Sequence, residues 1–130
     1  MRVVVTGGRD YRDQKRVAEA LNTIHAERPI EVLIHGAATG ADTLAAEWAW
    51  QRKIPVEPYP AAWDDITAMP CRIRYKGRKP YNALAGHARN IRMLMLSAPT
   101  LVVAFPGGAG TAHCRAQALR RGIAVMDVDA

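Results

Sequence analysis

The sequence predicts a three-layer α/β domain, in which helices cover both faces of a mainly parallel sheet of about five strands. Short runs rich in β-branched residues alternate along the chain with segments whose apolar residues recur at helical spacing. The runs are apolar throughout instead of alternating with polar residues, which is typical of strands buried on both faces. The chain has 130 residues, 49% of them hydrophobic, which is enough for one core and too little for two domains.

Five apolar runs are predicted to form the strands, at residues 3–5, 31–34, 54–56, 101–104 and 123–126. Parallel strands that are joined by helices connect through right-handed crossovers. This order of elements therefore predicts a single Rossmann-like domain over residues 1–130.

Four segments between these strands are predicted to be helical because their apolar residues fall on one face. The faces are Val17/Ala20/Leu21/Ile24, Ala41/Leu44/Ala45/Trp48 and Leu84/Ala88/Ile91/Met95, and a last helix over residues 112–121 is closed by Gly122.

A long stretch over residues 58–83 is rich in proline and basic residues and is predicted to be irregular. Loops of this length inside a compact domain are uncommon and usually functional, so it is a candidate flap over a binding site. A surface excursion without a function is the alternative. Trp63 in this stretch either packs over a bound base or anchors the loop.

The charge is divided unevenly between the two halves of the chain. Residues 1–65 carry a net charge of −2 and residues 66–130 a net charge of +8, with no carboxylate between Asp65 and Asp127. This pattern favours a positive surface for phosphate groups, on a nucleotide or on a polynucleotide. A solvated basic face without a partner is the alternative.

No membrane segment, disulfide framework or metal site is predicted. The uncharged stretch over residues 93–114 is broken by Pro99 and Pro106, so it is interpreted as a buried strand and its turn. Cys71 and Cys114 are far apart, and the four histidines show no metal-ligand spacing. We expect a cytoplasmic protein, and a homo-oligomer is compatible with the sequence.

Three predicted strands lead directly into glycine-rich loops, with the sequences TGGRD at 6–10, HGAATGAD at 35–42 and FPGGAGT at 105–111. In a parallel sheet these loops emerge at the same carboxyl edge, where ligands bind. Glycine lets backbone N–H groups turn toward an anion, and the following helix adds the positive end of its dipole. The loops therefore predict a site for a phosphate-bearing ligand. Its candidate residues, with two polar residues of the helix before the third loop, are Gly7, Gly8, Arg9, Gly36, Gly40, Asp42, Arg89, Asn90, Gly107, Gly108, Gly110 and Thr111.

The standard motifs for nucleotide and ester chemistry are absent. The loop at 36–40 lacks the lysine of a P-loop, residues 107–110 do not fit G-x-G-x-x-G, and no G-x-S-x-G elbow occurs. These absences argue against a classical nucleotide triphosphatase, a dehydrogenase and a serine hydrolase.

The combination of GGRDY at 7–11, the loop at 36–42, Arg89-Asn90 with Met93, and PGGAGT at 106–111 resembles the YspA/YpsA-related group of the SLOG superfamily. The resemblance extends over nearly the whole chain. That superfamily is similar in architecture to the Lonely Guy phosphoribohydrolases, the DNA-processing protein DprA and molybdenum-cofactor carriers. The resemblance implies a nucleotide-derived ligand and leaves cofactors and catalytic residues unassigned.

One position departs from the Lonely Guy pattern, P-G-G-x-G-T-x-x-E with an arginine on the preceding helix. The segment 106–111 and Arg89 match, but Cys114 stands in place of the glutamate. A carboxylate can stabilise positive charge on the ribose as the base departs, whereas a neutral thiol cannot. Asp10 and Asp42 are the candidate replacements. Cys114 itself is expected to be a small buried hydrophobe, with thiol reactivity as the alternative.

Three functions remain open from the sequence. The first is a sensor or processing domain that binds a nucleotide-derived small molecule. The second is a hydrolase of N-riboside or phosphate linkages. The third is a nucleic-acid-binding module related to DprA, which would use the basic second half of the chain.

Asp42 and Thr111 also have plain structural interpretations at helix starts, as partners of free N–H groups.

Overall fold

A computed structural model describes residues 1–67 and 69–129 of the chain. Its strands are β1 (Arg2–Thr6), β2 (Val32–His35), β3 (Val56–Pro58), β4 (Ile73–Lys76), β5 (Lys79–Asn82), β6 (Leu101–Ala104) and β7 (Ala124–Asp127). Its helices are α1 (Gln14–Glu27), α2 (Ala41–Gln51), α3 (Ala85–Ser97) and α4 (Ala109–Arg120).

Five of the strands form one parallel sheet in the order β3-β2-β1-β6-β7. The chain moves outward from β1 through β2 to β3, and then returns to the other side of β1 to add β6 and β7. The strand order therefore reverses between β1 and β6, and a crevice opens at the carboxyl ends of these two strands. The predicted Rossmann-like α/β fold with five parallel strands is confirmed.

Alternate residues of β1 face two separate apolar layers, as the pleat of a strand requires. Val3 and Val5 pack with the buried faces of α1 and α2, whereas Val4 packs with Met93 of α3 and Ala118 of α4. Helices therefore cover both faces of the sheet, which explains why its central strands are apolar throughout.

Helix α1 shows how sequence signals determine an element here. The Asp13 carboxylate before it accepts a hydrogen bond from the Arg16 N–H at 3.0 Å, which is a standard N-cap interaction. Val17, Leu21 and Ile24 then form the buried face that the periodicity predicts.

The prediction of an irregular stretch over residues 58–83 is wrong in part. Strands β4 and β5 pair there as an antiparallel hairpin, which turns at Gly77 with φ +64°. The four β4 residues are exposed, so they lack the apolar pattern by which buried strands are recognised. A fully buried residue, Asn82, ties the hairpin to α3: its Oδ1 accepts hydrogen bonds from the N–H groups of Arg72 at 3.2 Å and Leu84 at 2.9 Å.

The predicted buried face of α3 is also wrong. The residues that point inward are Ala85, Asn90, Met93, Leu94 and Ser97, whereas Met95 is 65% exposed. Two of the inward residues are polar and are held by hydrogen bonds. The Ser97 hydroxyl donates to the Met93 carbonyl oxygen at 2.6 Å, and Asn90 donates to Gly110 at 3.1 Å.

Two elements have a boundary that differs from the prediction by two residues or more. Strand β3 begins at Val56 rather than at Ile54, because the Ile54 N–H closes the end of α2 by donating to the Ala49 carbonyl at 2.9 Å. Helix α4 begins at Ala109, three residues before the predicted start, so its first turn lies within the third glycine loop. In the part of the chain that is described, no helix combines the length and the apolar character needed to cross a membrane.

Candidate functional site

The loops after β1 and β6 meet the start of α3 around one pocket at the carboxyl edge of the sheet, called here the main pocket. It encloses about 370 Å³. The residues that line it are Thr6, Gly7, Gly8, Arg9, Ala38, Asp42, Trp63, Ala83, Gly86, His87, Arg89, Gly108, Ala109, Gly110 and Thr111.

Hydrogen bonds between backbone groups join the three glycine loops. The Gly8 N–H donates to the Pro106 carbonyl at 2.9 Å, and the Gly8 carbonyl accepts from the Ala41 N–H at 3.2 Å. The first loop therefore contacts both the other two. Gly7, Gly8 and Arg9 are placed in the pocket wall by this arrangement, as the sequence predicts.

Several glycines are required by this close packing. A Cβ at Gly7 would lie 2.5 Å from the Ala41 Cβ, and one at Gly107 would collide with the Thr111 side chain. Gly40 adopts φ +80°, and a Cβ there would collide with the Gly8 carbonyl oxygen. Gly40 and Gly107 shape the loops from behind and do not line the main pocket.

Gly108 and Gly110 differ from these. A Cβ at either position would meet no other atom within 4 Å, although both residues line the main pocket. Neither has a positive φ, so packing and backbone conformation do not require glycine here. The absence of side chains keeps the start of α4 open to the pocket.

The first turn of α4 presents unpaired backbone donors. Within residues 1–67 and 69–129, the N–H groups of Ala109, Gly110 and Thr111 have no acceptor, and no side chain caps the helix at Gly108. The first paired N–H is that of Ala112, which donates to the Gly108 carbonyl at 3.1 Å. Unpaired N–H groups and the positive end of the helix dipole make such a turn suitable for an anion.

Arg89 is a half-buried cation in the wall of the main pocket. Its guanidinium donates to the Gly36 carbonyl, to the Tyr59 carbonyl at 3.4 Å and to Asn90 Oδ1 at 2.8 Å. No carboxylate among the described residues forms an ion pair with it. Burial lowers the pKa of Arg89 from its ordinary value, but a guanidinium stays charged at neutral pH. Its charge is therefore available to an anion.

Arg9 and Trp63 form a pair at the rim of the main pocket. The guanidinium carbon of Arg9 lies 5.3 Å from the centre of the Trp63 ring, within the range of a cation–π contact. Trp63 is 38% exposed, so part of its ring surface is open to the solvent. The long stretch at 58–83 thus brings an aromatic side chain to the pocket.

Asp42 is buried beneath the loop that follows β2. Its Oδ2 accepts hydrogen bonds from the N–H groups of Gly36 at 2.9 Å and Ala38 at 3.3 Å, which hold that loop closed. Burial raises the pKa of Asp42 to about 6, because the loss of hydration outweighs these hydrogen bonds and the nearby Arg89 charge. This carboxyl group lines the main pocket, whereas Asp10 is exposed and does not.

Asn90 and two histidines lie between α3 and α4. Asn90 Nδ2 lies 3.1 Å from the Gly110 carbonyl and 3.2 Å from His113 Nδ1, so this buried side chain positions the first turn of α4. His113 stacks on His87, with parallel rings 4.0 Å apart. Burial, reinforced by His87, lowers the pKa of His113.

Cys114 is fully buried and does not line the main pocket. Burial raises the pKa of its thiol to about 11, so the thiol is neutral at physiological pH. The structure therefore places Cys114 in the apolar layer between the sheet and α4.

Eight of the twelve predicted site residues line the main pocket, and Gly40, Asn90 and Gly107 support it. Gly36 borders a smaller adjoining cavity of about 260 Å³ that also contacts Arg9, Trp63 and Arg89, while Asp42 and the remaining residues face the main pocket directly. Sequence patterns do not indicate His87, Ala83 or Gly86, because single contacts made around the start of a helix leave no periodic signal. No group of three or more His, Cys, Asp or Glu side chains suited to a metal ion occurs among the described residues.

Comparison with known proteins adds three findings. A family model described as the YspA, cpYpsA-related SLOG family matches residues 1–65. The Gene 61 protein of Mycobacterium phage D29 is 34% identical over 134 residues, covering 97% of this chain and 94% of that protein. The solved structure of DNA processing protein A (DprA) from Streptococcus pneumoniae matches with a TM-score of 0.70 at 19% identity. This match covers 97% of the present chain but 49% of DprA, so the chain spans about half of the DprA length and shares its fold.

Proposed function

The chain belongs to the YspA, cpYpsA-related SLOG family, and we propose that it binds the phosphate group of a nucleotide-derived small molecule in the main pocket. The observation that carries this proposal is the open first turn of α4. The residues that carry its three unpaired N–H groups, and the two glycines without packing neighbours, line the same cavity as Arg89 and Arg9.

The charges around the cavity favour an anionic ligand. Arg89 is held in place by backbone carbonyls and forms no salt bridge among the described residues, although the Asp42 carboxyl acts on it electrostatically, so a bound phosphate would be its first directly contacting anion. A charge-assisted hydrogen bond of this kind contributes about 1.5–3 kcal/mol. Because Gly110 has no side chain, a phosphate oxygen can approach the backbone closely.

The rim offers a surface for the organic part of the ligand. Trp63 is partly exposed beside the pocket and can stack on a nucleoside base, as aromatic side chains do in many nucleotide sites. The phosphate and the base would then be bound by different segments, the first by α4 and the second by the stretch at 58–83.

Native mass spectrometry of freshly purified protein, followed by calorimetric titration with adenosine, adenosine 5′-monophosphate and inorganic phosphate, tests the proposal. We expect the monophosphate to bind and adenosine to bind more weakly by about tenfold or more. Replacing Gly110 by Val should abolish monophosphate binding, because the side chain occupies the space at the N–H groups.

Ala116→Val is the matched control, since this residue is exposed on the same helix and away from the pocket. Binding of the monophosphate that survives Gly110→Val, or that is lost equally in Ala116→Val, contradicts the proposed site.

Hydrolysis of an N-riboside bond is a second candidate function, and the position of Asp42 favours it. A carboxyl group in the pocket wall whose pKa is about 6 is near the value at which it can act in acid–base catalysis or stabilise ribose charge at neutral pH. The test is chromatographic detection of base release from nucleoside monophosphates. Release that is lost in Asp42→Asn but retained in Cys114→Ser supports hydrolysis. No release from nucleotides that bind identifies a binding domain.

A further inference from the structure

The hairpin formed by β4 and β5 is an exposed, strongly basic element beside the main pocket. Residues 72–79 include five cations, Arg72, Arg74, Lys76, Arg78 and Lys79, and each of them is exposed. All residues of β4 are exposed as well, so this strand buries little apolar surface. Packing does not account for this concentration of positive charge.

Two lysines of the hairpin border a second cavity. Lys76 and Lys79 are directly opposed in the β4–β5 register, an arrangement in which like charges repel. With Arg9, Trp63, Asp64 and Tyr81 they surround a space of about 400 Å³. Asp64 forms a salt bridge of 3.2 Å with Lys79, so it offsets one of the three cations there. The cavity keeps a net positive charge.

The second cavity adjoins the main pocket. Arg9 and Trp63 line both, so this cation–π pair forms a shared wall between two positively charged spaces. A ligand with a single phosphate can neutralise one of these spaces. A sugar flanked by two phosphates would lie against this wall with one phosphate in each space, whereas two directly linked phosphates have no spacer to lie there.

We propose that the Lys76–Lys79 cavity binds a second phosphate, so that the ligand contains a nucleoside 3′,5′-bisphosphate unit with its ribose at the Arg9–Trp63 wall. This inference rests on the proposed function, because the first phosphate occupies the main pocket. Both a free bisphosphate and the phosphorylated end of a polynucleotide contain this unit.

Calorimetric titration with three adenosine nucleotides tests the second site. The 3′,5′-bisphosphate should bind about tenfold more tightly than the 5′-monophosphate, and the 5′-diphosphate, which has its phosphates adjacent, should gain about threefold or less. These ratios correspond to two exposed charge contacts of up to about 1 kcal/mol each.

Variants assign this gain to individual side chains. The double variant Lys76→Gln/Lys79→Gln should reduce the affinity for the bisphosphate to that for the monophosphate, and should leave monophosphate affinity unchanged. The matched control, Arg72→Gln/Arg78→Gln, removes the same charge from the same hairpin outside the cavity and should preserve the tenfold ratio. Asp64→Asn removes the opposing carboxylate and should raise bisphosphate affinity about twofold.

The outcomes separate this inference from the proposed function. Equal wild-type affinities for the monophosphate and the bisphosphate, or equal losses in the two double variants, overturn the second site and leave the first intact. Failure of all three nucleotides to bind overturns both.

A 5′-phosphorylated dinucleotide identifies the source of the bisphosphate unit. If it binds more tightly than the free bisphosphate, with the same dependence on Lys76 and Lys79, the second site accepts a polynucleotide end. If it binds more weakly, the second site accepts a free small molecule.

Discussion

The glycines behind the main pocket and those at the start of α4 are surrounded differently. At Gly7 and Gly40 an added Cβ would collide with neighbouring atoms, whereas at Gly108 and Gly110 it would meet no other atom within 4 Å. In the first region glycine allows three loops to pack against each other. In the second, packing does not need it, and its effect is to leave backbone N–H groups accessible. The glycine-rich loops therefore meet two physical requirements, close packing of backbones and access to backbone N–H groups. Substitutions at different glycines can test the two separately.

The largest effect is expected in the packed region, at Gly40. In Gly40→Ala the alanine backbone must adopt φ +80°, and its methyl group must displace the Gly8 carbonyl. Both backbone strain and overpacking therefore oppose folding. We expect the free energy of unfolding to fall by about 3 kcal/mol or more, measured by urea denaturation.

Gly122→Ala is the control for this change. Gly122 has φ +70° but no atom within 4 Å of an added Cβ, so only the strain of about 1–2 kcal/mol applies. Equal destabilisation in the two variants would show that loop packing does not require glycine at position 40.

Asp42 connects the packed region to the pocket, and its titration should appear in the stability of the protein. Burial raises its pKa to about 6 from an ordinary value of 3.8, so the folded protein binds this proton more tightly than the unfolded chain does. The resulting stabilisation is fully present below about pH 4 and is lost as the pH rises through about 6. Relative to Asp42→Asn, the wild type should lose up to about 3 kcal/mol between pH 4 and pH 7.

Denaturation of both proteins at a series of pH values measures this difference. Parallel stability curves for the wild type and Asp42→Asn would mean that the carboxyl titrates at the same pH in the folded and unfolded chains. Hydrolysis, the second candidate function, would then lose the support of a raised Asp42 pKa.

Arg89 lines the main pocket and also binds the loop after β2 through Gly36, and its replacement should affect binding more than replacement of a neighbouring arginine. Arg89→Ala removes a cation from the main pocket and should weaken nucleoside monophosphate binding by about 10- to 100-fold. It also removes the hydrogen bonds to the Gly36 and Tyr59 carbonyls, so a lower melting temperature should accompany the loss.

Two further variants separate these effects. Arg92→Ala removes an exposed arginine of the same helix that donates to the Pro60 carbonyl at 3.0 Å and does not line the main pocket. It should leave affinity unchanged. Arg89→Lys keeps the charge but loses the planar fork of donors, so it should recover part of the affinity. If both alanine variants bind the monophosphate equally well, Arg89 has no part in the site.

The sequence predicts the sheet and most of the main pocket, for reasons that the structure makes plain. The strands β1, β2 and β6 are buried on both faces, so their apolar runs are distinctive, and a glycine loop directly follows each of them. The hairpin is not recognisable from the sequence because β4 is exposed and β5 is only partly buried, so neither strand has the continuous apolar run of a buried strand. Hydrophobic periodicity predicts the wrong inward face for α3, because Asn90 and Ser97 are polar residues that are buried through hydrogen bonds. Trp63 reaches the pocket through tertiary folding of a long loop, and no local pattern specifies its position.

The smallest expected change, at Gly110, separates the two kinds of glycine most clearly. Gly110 is in the first turn of α4 with a helical backbone, so an alanine there fits without a clash and restricts the unfolded chain. Gly110→Ala should therefore stabilise the fold by about 0.5–1 kcal/mol, the opposite sign to Gly40→Ala. The same methyl group narrows the approach to the N–H groups, so monophosphate affinity should fall in spite of the higher stability. Urea denaturation and calorimetry on one preparation measure both quantities. Lower stability would mean that Gly110 is needed for packing, like Gly40. Higher stability with unchanged affinity would mean that the phosphate does not bind at this turn. Only a gain in stability together with a loss of affinity fits an open helix start that is kept free for a ligand.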